Sequence, residues 1–247
     1  MIARVLSVGT NDPRNVAGIG RDIIVGTELG CNVVTAVAAV SVQDDRGVHA
    51  LHVVPSTVLR AQLVVPSARV ARIGALACSE NVAVVADWLA RPGVVAVVDP
   101  VMHASAGGVL ADAQTAAAVR DRLATLPSVV LTPNLPEAQF LLACRIEGVD
   151  AMQAAAIELR ARGTQAVLLK GGHGTGDPTD VLATAEGTET FSSPRIDTTM
   201  GGKGCTLAMA LACGIARNLP LREAVIMARA YVRAKMMQAG SRNAAPA

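Results

Sequence analysis

Short runs of valine, isoleucine and leucine recur along the chain, and between them apolar residues fall at helical spacing. "ARVLSVG" predicts a strand, and Ala17 to Leu29 predicts a helix. "NVVTAVAAVSV" contains a second strand and "HALHVV" a third. "ARVARIG" leads into a helix over Ser79 to Ala90, and "VVAVVDP" is an apolar strand that ends at an acid. A helix follows from about Leu110 to Leu123, then the strand "SVVLTPN", a helix over Met152 to Arg162 and the strand "AVLLKGG". "DVLAT" and "ETFSS" read as a hairpin around "AEGT". Helices over Cys205 to Arg217 and Leu221 to Met237 finish the chain, and 239–247 reads as a loose tail. Strands that are apolar on both faces and alternate with helices imply a mostly parallel sheet covered on both sides, a three-layer α/β/α domain. No linker or internal repeat divides it, so the chain is expected to be one domain over residues 1–247.

In open sheets of this kind, ligands gather beyond the carboxyl ends of the strands. The polar residues there are therefore informative: "VGTNDP", "VVDPVM", "LTPNLPE" and "LLKGGHG" each follow an apolar run. Composition narrows the picture. A net charge of +2 with no Lys/Arg-rich tract gives no reason to expect nucleic acid or membrane as partner. The five cysteines are scattered and odd in number, which suits reduced thiols in a cytoplasmic protein rather than a disulfide framework. His49 and His52 stand close together without further ligands, so no zinc site is expected.

The stretch "DTTMGGKGCTL" carries the most chemistry. A helix that begins at a glycine-rich turn offers unpaired N–H groups and the positive end of its dipole. Gly202 and Gly204 let the backbone approach an anion, and phosphate is the natural guest. Lys203 precedes glycine, so this is not a Walker A loop. A thiol in the first helical turn has its thiolate favoured, which makes Cys205 a candidate base or nucleophile. Cys213, deeper in the same apolar helix, reads as packing.

These residues resemble the "DT…HGTGCTL" stretch of the hydroxymethylpyrimidine and phosphomethylpyrimidine kinases of thiamine biosynthesis, members of the ribokinase-like superfamily. The resemblance covers nearly the whole chain. "NDPRNVAGIGRD" is similar to "SDPSGGAGIQAD", and "VSVQDDRGV" to "LTAQNTQGV". "VVDPVMHASAGGVL", "LTPNLPEAQFLL", "VLLKGGH" and "RIDT" follow in the family's order. The resemblance implies a ribokinase-like fold and phosphoryl transfer from ATP, with Mg²⁺, to 4-amino-5-hydroxymethyl-2-methylpyrimidine, its monophosphate, or both. It implies that Gly202, Lys203, Gly204 and Cys205 form the catalytic anion hole, with Cys205 as general base. Gln43, Asp12 and Gly18 would meet the pyrimidine. Asn134, Lys170, Gly172 and Asp197 would border the nucleotide, and Asp99 and Glu137 would position the metal. A homodimer is implied as well.

The chain also departs from the motifs. Lys203 stands in place of threonine and Gly201 in place of histidine. Asn15-Val16 and Gly20-Arg21 replace Gly-Gly and Gln-Ala, and Asp44 replaces asparagine beside Gln43. The family's lysine after "DPVM" falls at Ser105, and its methionine in "VKIGML" falls at Ala75. These changes touch the acceptor pocket and phosphate hole more than the sheet. They leave two alternatives: a pyridoxal-type kinase, and a regulatory protein that binds a pyrimidine or nucleotide without turnover.

Overall fold

A computed structural model describes residues 2–64, 67–104, 107–172, 176–198 and 200–243. In chain order its elements begin with β1 (Arg4–Asn11), α1 (Gly18–Glu28), β2 (Asn32–Asp44), β3 (Gly47–Val53), α2 (Ser56–Val64) and β4 (Val70–Ile73). Then come α3 (Ser79–Leu89), β5 (Val95–Val98), α4 (Ala113–Ala118), β6 (Val129–Leu131), α5 (Leu135–Leu142), α6 (Gly148–Ala161) and β7 (Ala166–Leu169). The chain closes with β8 (Thr179–Thr184), β9 (Gly187–Ser192), α7 (Lys203–Ala216) and α8 (Leu221–Asn243).

The strands form one sheet in the order β3-β2-β1-β4-β5-β6-β7-β8-β9. From β2 to β7 every pairing is parallel, and β3, β8 and β9 join antiparallel at the edges. Adjacent residues explain why the parallel strands read as unbroken apolar runs. Val5, Val97, Val130 and Leu168 face one core with Met209, Leu211 and Val225 of α7 and α8. Their neighbours Leu6, Val98, Leu131 and Leu169 face the other core with Leu59, Val85, Leu141 and Leu159. Both faces are dry, so alternation vanishes and the three layers follow.

Some boundaries move. The helix expected from about Leu110 starts at Ala113, because the Asp112 carboxylate accepts the Thr115 N–H at 2.7 Å and caps it there. It continues as a π-helical turn over Val119–Leu123. Two short helices, α2 and α5, have no counterpart among the expected elements. The loose tail expected from residue 239 is helical up to Asn243, since α8 carries its pattern past Met237. Ser105, His173 and the last four residues lie outside the described residues.

The chain moves from β1 to β2 on one side and then crosses to β4 on the other side of β1. Such a reversal opens a crevice at the carboxyl ends of β1 and β4. The conspicuous polar residues lie along this edge.

Candidate active site

A cleft of about 1180 Å³ runs along that edge. Five of the parallel strands each deliver a residue to it just beyond the strand's end: Asp12 from β1, Ala75 from β4, Asp99 from β5, Asn134 from β6 and Lys170 from β7. The N-terminus of α7 closes the middle of the cleft with Gly202, Lys203, Gly204 and Cys205. Gln43 reaches the wall from a bulge in β2, and Gly18 and Gly172 also line it. Asp197 does not: it is exposed, and the wall takes its neighbours Ile196 and Thr198 instead. The backbone of Asp197 passes near Gly240 of α8.

The first loop is built on Asp12. Its carboxylate accepts the N–H groups of Arg14, Val16 and Ala17 at 2.9–3.0 Å. Asp12 thus shapes the loop from within the wall. Gly18 (φ +58) and Gly202 (φ +65) both sit in the left-handed region. A Cβ at Gly18 would collide with the Thr10 carbonyl, and one at Gly202 with the Val16 carbonyl. Gly202 thus lets the start of α7 dock against the β1–α1 loop, and Gly18 lets that loop fold back on the end of β1.

Gly204 does something different. A Cβ there would stand 3.4 Å from Lys170 Nζ and 3.5 Å from Asp99 Oδ2. The bare backbone of the first helical turn therefore faces an ammonium and a carboxylate across a gap that no side chain fills. N–H groups, helix dipole and lysine together put positive charge at this point of the cleft.

Beneath lies a chain of buried charges. Lys170 Nζ donates to Asp99 Oδ1 at 2.7 Å, and Asp99 Oδ2 lies 3.3 Å from Arg72 NH2. Arg72, only 1% exposed, also contacts Asp22 Oδ2 at 3.3 Å, and the Ser7 hydroxyl donates to the same oxygen at 2.6 Å. Burial works against the charge on Arg72, but Asp22 and Asp99 outweigh it and hold the guanidinium protonated. Burial likewise opposes the charge on Lys170, and Asp99 and Glu137 outweigh it. Asp22 is pushed up to about 6 by burial, with Arg72 opposing. Each buried ion costs several kcal/mol in desolvation, so the partners are needed. Sequence reasoning passed over Arg72 and Asp22. The available signal was an arginine inside a short apolar strand, with Gly74 two residues on leaving room for its guanidinium.

Asn134 and Glu137 form a reciprocal cap on α5. The Asn134 Oδ1 accepts the Glu137 N–H at 2.9 Å, and the Glu137 Oε2 accepts the Asn134 N–H at 2.8 Å. Both residues also line the cleft. Burial pushes Glu137 up to about 7, and Asp99 adds to the rise while Lys170 opposes it.

Cys205 corrects an expectation. The helix start was expected to favour its thiolate. Instead, the protein around it buries the sulfur and pushes the thiol up, with Asp99 and Asp22 adding to the effect. Arg72 and the Gly18 N–H oppose this without overcoming it. Cys205 thus holds its proton more tightly than an ordinary thiol, with Arg72 and the Gly18 N–H beside its sulfur.

At the far end of the cleft, Arg229 of α8 pairs with Asp180, whose other oxygen accepts the Gly171 N–H at 2.9 Å. This ties the C-terminal helix to the Gly171-Gly172 turn.

Comparison with known proteins gives consistent results. The phosphomethylpyrimidine kinase family profile matches residues 12–245. The chain is 36% identical over 246 residues to a hydroxymethylpyrimidine/phosphomethylpyrimidine kinase of Rhizobium meliloti, covering 97% of this chain and 92% of that one. It is 37% identical over 238 residues to the thiamine biosynthesis bifunctional protein ThiED of Geobacter sulfurreducens, covering 93% of this chain and 48% of that one. The pyridoxal kinase of Staphylococcus aureus, solved in complex with AMP-PCP and pyridoxal, superposes with a TM-score of 0.85 at 25% identity, over 96% of this chain and 88% of that one.

Proposed function

The chain belongs to the phosphomethylpyrimidine kinase family, and from that premise we propose that it transfers the γ-phosphoryl group of ATP to 4-amino-5-hydroxymethyl-2-methylpyrimidine, to its monophosphate, or to both, in thiamine biosynthesis. The observation that carries this reading is the gap at Gly204, where a helix N-terminus meets Lys170 and Asp99 over a cleft wide enough for two ligands. Phosphoryl transfer asks little covalent chemistry of a protein. It asks for alignment and for positive charge around the moving phosphoryl oxygens. The first turn of α7 and Lys170 supply that charge. Gln43 offers an amide to a pyrimidine edge, and Gly172 borders the nucleotide with Asn134.

The residues fit a magnesium ion unequally. Asp99 has both oxygens held by cations. Glu137 commits Oε2 to the helix cap, and its buried carboxylate gains from any cation beside it. Glu137 would hold the ion, in part through water, with Asp99 keeping Lys170 in place. A magnesium ion held there would supply positive charge against the charge that develops on the nucleotide phosphates. A homodimer and a cytoplasmic location belong to the same reading. Among the described residues, no helix is long and apolar enough to cross a membrane.

A pyridoxal-type acceptor is the second reading, favoured by the superposition on the S. aureus pyridoxal kinase. A coupled assay of ADP release, run with the hydroxymethylpyrimidine, its monophosphate and pyridoxal at saturating ATP and Mg²⁺, separates the readings. Turnover of either pyrimidine well above pyridoxal is expected. Pyridoxal as the best substrate overturns the pyrimidine reading, and no turnover with any acceptor leaves a silent binding protein.

A further inference from the structure

The β1–α1 loop and the start of α7 meet at the Val16 carbonyl. That oxygen accepts from Arg21 Nε at 3.1 Å, and a Cβ on Gly202 would collide with it. Val16 Cγ1 would lie 2.6 Å from a Cβ on Gly201. Arg21 and Lys203 therefore flank one contact from adjoining elements, and both line the cleft. Arg14 lines it from the same loop, with NH1 2.6 Å from Asp45 Oδ1. The loop is fixed from below by the three backbone N–H groups on Asp12.

The carboxylates on this side are largely committed. Asp45 holds Arg14, Asp44 holds His49 at 2.8 Å, and Asp12 is turned into the loop. Glu28 feels the charge of Arg21 but is paired with Lys235 and Tyr231. Arg21 and Lys203 form no ion pair with any other described residue. In the motifs that this chain resembles, the places of Arg14, Arg21 and Lys203 hold serine, alanine and threonine. Three positions that are neutral in those motifs are cations here, and all three line the same cleft.

We propose that Arg14, Arg21 and Lys203 form an anion-selecting rim, so that the preferred acceptor is the phosphomonoester of a small heteroaromatic alcohol rather than the free alcohol. This rests on the kinase reading above. A phosphomonoester brings its own negative oxygen. That oxygen attacks the γ-phosphorus of ATP, a new P–O bond forms, and the bond from the γ-phosphorus to the β–γ bridging oxygen breaks. ADP leaves with the electron pair, and the product is a diphosphate. No proton has to be removed. A free hydroxymethyl group must lose one, and the side chain at the base position is a thiol held by its surroundings. Two anions must also approach each other, which a positive rim on the acceptor side makes easier.

The test measures kcat/KM for the hydroxymethylpyrimidine and for its monophosphate in the wild type, R14S, R21A and K203T. The wild type is expected to prefer the monophosphate, by a margin that shrinks as salt screens the rim. R21A and K203T are each expected to lower that preference about tenfold, equivalent to about 1.4 kcal/mol, and R14S less, because Asp45 already draws on its charge. KM for ATP and Tm should hold in R21A, which separates acceptor selection from a general loss of structure. If K203T is inactive, R21A alone decides. A wild type with equal kcat/KM for both acceptors, or a preference that R21A leaves unmoved, overturns the rim and leaves the kinase standing. A wild type that phosphorylates neither acceptor overturns the kinase reading itself.

Discussion

Glu137 caps a helix with one oxygen and faces the cleft with a carboxylate that burial disfavours. Its folded pKa of about 7 lies above its ordinary value of 4.5. A raised pKa means that the folded protein holds the proton more tightly. This contribution to stability is full below about pH 4.5 and is lost as pH rises through about 7. Glu137→Gln keeps an acceptor for the cap and removes the titration. Urea denaturation without ligands should therefore show the wild type losing ground to the variant between pH 5 and pH 8.5, by an amount on the order of 2 kcal/mol. Mg²⁺ should return part of the loss to the wild type at high pH and do little for the variant. Parallel curves at both pH values would make Glu137 a cap and nothing more. Cys205 is the second residue whose setting decides its use. Cys205→Ala should slow phosphorylation of the free alcohol by roughly 10²–10⁴, the range for a general base, even though the resting group is a thiol. The monophosphate, which needs no base, should lose far less. Initial rates that fall equally for both acceptors, or for neither, would reduce the thiol to packing.

The start of α7 shows how two neighbouring glycines serve different ends. Gly202 is required by the backbone, with φ +65 and the Val16 carbonyl in the place of a side chain. At Gly204 a Cβ would meet only ordinary contacts at 3.4–3.5 Å, with Lys170 and Asp99, so the fold itself does not demand glycine there and the proposed anion does. Gly202→Ala should therefore cost about 1–3 kcal/mol or more in denaturant titrations. Gly204→Ala lies within the helix and should fold at least as stably as the wild type, because alanine is favoured there by about 1 kcal/mol. Its kcat/KM should nevertheless fall by about 10² or more, comparable to loss of an oxyanion donor. A Gly204→Ala enzyme with normal rates would remove the anion hole from this turn. The same helix shows what could be read from sequence. Its glycines, thiol and apolar run are contiguous, and the strand ends that face it punctuate long apolar runs, so the edge of the cleft was legible. The helices α2 and α5 were not, since nine and eight residues give the helical period little room to declare itself. Arg72 escaped because its partners Asp22 and Asp99 lie 50 and 27 residues away along the chain. Only folding brings them together.

Those three residues join the layers of the molecule. Asp22 comes from α1, Ser7 from β1, Arg72 from β4, Asp99 from the end of β5 and Lys170 from the end of β7. The site rests on this chain of charges, which crosses from a covering helix through the middle of the sheet. A buried ion pair is poor evidence of net stability, but removing one partner leaves the others uncompensated, which typically costs about 3–5 kcal/mol. Arg72→Met keeps the bulk and removes the charge, so a loss of that size is expected in urea at pH 7. The pH dependence identifies the cause. Asp22 already takes up a proton near pH 6 with Arg72 beside it. Without the guanidinium that opposes the rise, Asp22 should hold its proton to still higher pH. The uncompensated charge can then be neutralised by mild acid, and the penalty of Arg72→Met should shrink between pH 7 and pH 5. A packing defect has no reason to respond to a proton, so a penalty of the same size at both pH values would show that shape rather than charge was lost. Arg72→Lys restores a cation but not the fork that reaches two carboxylates. It should recover much of the stability at pH 7 and less of the activity, because Asp99 and Lys170 would keep their charges while losing their fixed position under the first turn of α7.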